Sequence, residues 1–71
     1  MKIIDYTPIS STLLAQIGYT ACWTTYEGGN EVAEILDRNN EIVDYQEAWT
    51  LAEARDWVLD RAPEILTEVL S

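Results

Sequence analysis

Residues 19–47 read YTACWTTYEGGNEVAEILDRNNEIVDYQE, and two interruptions inside this stretch decide the fold. Tyr19–Glu27 is rich in threonine and aromatics, which suit a pleated, half-buried surface, and Gly28-Gly29-Asn30 turns the chain back. Glu31–Asp37 reads as the returning strand. Asp37-Arg38-Asn39-Asn40 reads as a type I turn with Asn40 left-handed, and Glu41–Glu47 as a third strand.

Loops of three residues at both turns fix a register. Trp23, Ile35 and Val43 then share one row, with Thr25, Ala33 and Tyr45 in the next row of the same face. This face is apolar and is the expected core. The opposite face holds Cys22, Leu36 and Ile42, then Thr24, Glu34 and Asp44, then Tyr26, Val32 and Gln46. It is neither dry nor an ordinary solvated surface. The same register sets Glu31 opposite Glu47, Glu34 opposite Asp44, and Asp37 opposite Glu41. Like charges in direct opposition destabilise a hairpin. Either a partner's cations relieve them, the register is off by one, or the side chains splay into water.

Outward from this core, Lys2–Tyr6 is β-prone, and Thr7-Pro8 is expected to end it because the proline ring removes a donor. Ser10–Ile17 reads as a turn or short helix capped by Ser10 or Ser11 and stopped by Gly18, or else as an extended lead into the next strand. Ser10-Ser11 followed by Ile17-Gly18-Tyr19 resembles the opening of the small KTSC domain. The spacing is one residue longer, and that family's later aromatic and Val-Pro signals are absent, so the likeness assigns no family. Downstream, Thr50 with Glu53 forms a capping-box signature. Leu51, Ala54, Val58 and Ala62, with Trp57 beside them, recur at helical spacing and should pack on the sheet. Pro63 either starts a second short helix over Glu64–Leu70 or kinks the first. Strands followed by helix predict an α+β fold: a small three- to four-stranded antiparallel sheet packed on a C-terminal helix, broken or bent at Pro63. Seventy-one residues with 48% hydrophobic content predict a single compact domain over 1–71.

Charge narrows the function classes. Twelve of thirteen acids lie between Glu27 and Glu68, the chain has four Lys and Arg, and the net charge is −9. Such a polyanion repels phosphate backbones and anionic membranes and attracts basic protein surfaces. No histidine is present, Cys22 is the single cysteine, and no phosphate-cradling loop or nucleophile–base pair is visible. The expectation is therefore a non-enzyme with no cofactor and no metal. The absence of a leader-like or membrane-spanning run gives an expectation of cytoplasmic location.

Two partner-binding surfaces stand out. Glu53, Asp56, Asp60, Glu64 and Glu68 line one stripe of the C-terminal helix, as a negative rail or simply a solvated face. On the sheet, Glu34 and Asp44 supply charge and Tyr26 offers an aromatic anchor. The leading expectation is an acidic inhibitor or modulator that occupies a basic groove of a larger protein, such as one that handles nucleic acid. The alternative is a structural or regulatory homodimer joined through Cys22, Val32, Leu36 and Ile42 on the mixed face. In a third arrangement Ser10–Ile17 simply covers that face.

Overall fold

A computed structural model describes residues 2–71. The elements run β1 (Ile3–Ile9), α1 (Thr12–Gln16), β2 (Thr20–Tyr26), β3 (Glu31–Leu36), β4 (Ile42–Glu47) and α2 (Leu51–Leu70). The strands form one antiparallel meander in the order β1-β2-β3-β4, and α2 packs on one face, giving the α+β arrangement read from the sequence. Tyr26 N–H donates to the Asn30 carbonyl, so the first hairpin loop is Glu27-Gly28-Gly29, with both glycines at positive φ. It has three residues, as expected, but starts one residue early. Trp23 therefore faces Ala33, not Ile35, and the shift of two in pairing leaves every β2 and β3 side chain on its expected face.

The second hairpin departs further. Leu36 pairs with Ile42 but Ile35 pairs with Asp44, so Val43 is the extra residue of a β-bulge. Because strand side chains alternate, one inserted residue exchanges the faces of everything beyond it. Tyr45 moves off the core face to lie opposite Glu34, while Asp44 turns toward the helix side. Two of the three expected acid–acid rows are thereby removed: Glu34 faces Tyr45, and Val32 faces Glu47 while Glu31 meets Ala48. The third row, Asp37 with Glu41, survives. There the Asp37 carboxylate accepts from the Asn39 and Glu41 amides, so its charge organises the turn. Asn40 adopts φ 64°, the left-handed conformation expected of it.

β1 runs through Pro8 to Ile9, three residues past the expected end. It is an edge strand, where a residue without an N–H costs no ladder bond on the open side. Ser11 caps α1 by accepting from the Leu14 amide. Tyr19 N–H bonds the Leu14 carbonyl and Gly18 N–H the Ala15 carbonyl, a Schellman closure that requires the left-handed φ of 76° at Gly18. Thr50 caps α2 through the Glu53 amide at 3.1 Å. Pro63 neither breaks α2 nor starts a second helix, because the element is continuous to Leu70.

The core lies between the sheet and the two helices. Ala21, Ala33 and Ile35 from the sheet meet Leu14 from α1 and Ala54, Val58, Ala62 and Ile65 from α2. Alanines at the centre of both surfaces let helix and sheet approach closely, and Trp23 seals one side by donating its indole N–H to the Ala48 carbonyl at 2.9 Å. The smallest Cα extent is 15 Å, room for two layers and not for a third. Since α1 packs against α2 and β2 on the core side, the segment 10–17 does not cover the other face of the sheet.

Candidate functional site

The uncovered face carries a hydrogen-bonded carboxylate at its centre. Strand pairing places Tyr6 and Pro8 of β1 beside Cys22, Thr24 and Tyr26 of β2, then Val32, Glu34 and Leu36 of β3, then Ile42, Tyr45 and Glu47 of β4. Glu34 is only 5% exposed, although no helix lies over it. Its burial comes from neighbouring side chains on the same face. A buried charge is tolerated when donors surround it, and β2 provides them at every second residue. The Thr24 hydroxyl donates to Oε1 at 2.7 Å, the Cys22 thiol to Oε1 at 3.7 Å, and the Tyr26 hydroxyl to Oε2. Thr24 is 1% exposed, so its hydroxyl also depends on Glu34.

This network perturbs two of its donors. The Tyr26 hydroxyl is pushed up to about 12, first by its hydrogen bond to Glu34, then by burial and by repulsion between a phenolate and that carboxylate. Burial raises the Cys22 thiol, and the Glu34 charge adds to this, so the single cysteine is held away from the reactive thiolate form. Between pH 10 and 12 the folded protein keeps a Tyr26 proton that the unfolded chain has released. The stabilisation is therefore complete below pH 10 and is lost as the pH rises through 12. In urea titrations across this range, the advantage of the native chain over Tyr26→Phe should shrink as pH rises. A gap that stays constant would mean that the Tyr26–Glu34 bond does not stabilise the fold.

Around the carboxylate the surface is apolar and aromatic. Tyr26, Asn30, Val32, Glu34, Ile42 and Tyr45 line a cleft of about 250 Å³. Tyr6 and Tyr45 are well exposed, as is Ile42. No strand position on this face holds a lysine or arginine, and the charges at its strand positions are the carboxylates of Glu34 and Glu47. Of the residues singled out from sequence, Tyr26, Glu34, Cys22, Val32, Leu36 and Ile42 are thus brought together. Tyr45 was missed because the bulge that turns it outward has no glycine or proline to signal it.

Asp44 is the member that leaves. On the helix side its Oδ2 accepts from Arg61 Nε at 2.5 Å, and Arg61 also lies 3.6 Å from Glu64 and 3.3 Å from Glu68. One guanidinium therefore tethers the β4 edge to α2 and offsets part of the negative charge at the C-terminal end of the acidic stripe. Glu53, Asp56 and Asp60 remain exposed on the N-terminal half of α2. Among the described residues no group of three or more Cys, Asp or Glu is placed to hold a metal ion. None of the helices in residues 2–71 is long and apolar enough to cross a membrane. A scan against protein-family models, a search of curated proteins and a search of solved structures each found no match.

Proposed function

We propose that this chain is a non-catalytic protein-binding module whose open sheet face docks on a basic surface of a larger protein, inhibiting or modulating it. The observation that carries this reading is the uncovered face itself: exposed tyrosines and aliphatics surround a buried carboxylate, and among the described residues no strand position on it carries a cation. Apolar area and aromatic anchors supply binding energy once water is excluded, and unbalanced negative charge selects a positive partner and speeds encounter. Glu53, Asp56 and Asp60 add to the attracting field from the far side of the molecule.

Charge also separates this reading from its rivals. Tyrosines on an open four-stranded sheet could stack nucleic-acid bases. Here Glu34, Glu47 and a net charge of −9 oppose the phosphates that would come with them. Two copies joined face to face would bring carboxylates together with no lysine or arginine from the strands between them, which disfavours the homodimer. A partner whose groove normally receives nucleic acid has the matching sign.

The test is a capture experiment from native lysate at low and high salt, with Tyr45→Lys and Glu47→Lys on the open face and Asp56→Lys with Asp60→Lys on α2. All four positions are exposed, so folding should be unaffected. A partner should be lost with rising salt and with the open-face substitutions, and kept by the helix substitutions. Loss confined to the helix variant would move the interface to α2. A dimeric mass in light scattering, abolished by Ile42→Lys, would replace the partner with a second copy.

A further inference from the structure

Building on that reading, we infer that the cleft between Tyr26 and Tyr45 is a recognition site for a lysine ε-ammonium presented by the partner. A cation suits what lines the cleft: the Glu34 carboxylate at its base, two tyrosine side chains at its walls, and, among the described residues, no basic side chain. Aromatic rings attract cations through their quadrupole, and a desolvated carboxylate strengthens that attraction. The size also fits, since about 250 Å³ falls below the range for drug-sized ligands, roughly 300–1,000 Å³, and suits one long side chain. Val32 and Ile42 offer apolar surface for its methylene stem.

The hydrogen-bond count on Glu34 chooses between the two basic side chains. A carboxylate has about four acceptor positions. Oε1 takes two donors, Thr24 and Cys22, and Oε2 takes one, Tyr26. A single acceptor position is left, on Oε2. Arginine recognises carboxylates best as a fork that engages both oxygens, which Thr24 and Cys22 prevent. An ammonium is a compact point charge that needs one oxygen and can leave its other protons to the tyrosines and to water. Tyr45 lies directly across from Glu34 in the β3–β4 ladder, so the bulge that turned Tyr45 outward also built the wall of this cleft.

The probe is N-acetyl-lysine N-methylamide, titrated into the isotopically labelled protein alongside its arginine and norleucine analogues and followed by amide and side-chain NMR shifts. The lysine compound should shift Val32, Glu34, Ile42 and Tyr45, with the arginine compound roughly threefold to tenfold weaker and norleucine without saturable effect. Tyr45→Ala, at a position exposed enough to leave the fold intact, should weaken the lysine effect by a similar factor, and Glu34→Gln should abolish it. Equal shifts from lysine and norleucine, or an arginine compound that binds as well as lysine, would overturn the proposal. Lysine shifts confined to Glu53, Asp56 and Asp60 would also overturn it, while leaving an acidic protein-binding role in place. If the capture experiment fails but the lysine shifts appear at Glu34 and Tyr45, the cleft stands and the docking reading falls.

Discussion

Ile35→Ala is expected to lower the unfolding free energy by about 2–5 kcal/mol, the range for truncating a fully buried isoleucine. Ile35 has no exposed surface, and it sits in the core cluster with Ala54, Val58, Ala62 and Ile65 of α2. A chain of this size holds roughly 4–10 kcal/mol in total, so the variant should lose about half of its stability. Cys22 is a free thiol, so no disulfide restores the loss. The informative comparison is Val43→Ala. A straight hairpin would place Val43 beside Ile35 in the same core row, whereas the bulge leaves Val43 46% exposed. Its truncation should change stability by no more than about 0.5 kcal/mol. Urea unfolding of both variants decides the matter, because equal losses would mean that β4 pairs without a bulge.

Glu34→Ala should cost about 1–3 kcal/mol, because it strands a buried hydroxyl that has lost its main acceptor. Thr24 cannot reach water at 1% exposure and keeps only the Cys22 sulfur at 3.2 Å, whereas the half-buried Tyr26 hydroxyl can turn to solvent. The loss should therefore be repaired by removing the donor as well. Thr24→Val with Glu34→Leu replaces buried polar partners by apolar groups of similar shape, a change that is often near neutral for stability. Denaturation midpoints of the two singles and the double give the coupling between the sites. A double variant that folds well and no longer captures a basic partner would place Glu34 in recognition rather than stability. If the double variant is as unstable as the sum of its singles, the Thr24–Glu34 bond is not the source of the cost.

Much of the architecture was legible because it rests on local chemistry. Gly28-Gly29 and Asn39-Asn40 mark chain reversals, since few other residues accept positive φ. Ser11, Gly18 and Thr50 mark helix ends, because they satisfy backbone groups within a few residues. The 3.6-residue recurrence of Ala54, Val58 and Ala62 was enough to assign the buried side of α2. Pro8 was misread as ending β1, while of the two readings of Pro63 only the helix break did not occur. A proline's cost depends on whether its missing N–H had a partner, and at a sheet edge that cost is small. In α2, packing of residues on both sides of Pro63 holds the helix through the loss of one bond.

By itself, then, the sequence determined the α+β class, the hairpin order, and the buried faces of β2, β3 and α2. Only the tertiary structure decided which acids act together. One inserted residue at Val43 exchanged Asp44 for Tyr45 on the open face, sending the aspartate to Arg61 and bringing the tyrosine to Glu34. A strand's alternation is a local property that any sequence displays. The place where it slips carries no local mark, and in the folded protein the bulged register pairs Asp44 with Arg61 of α2.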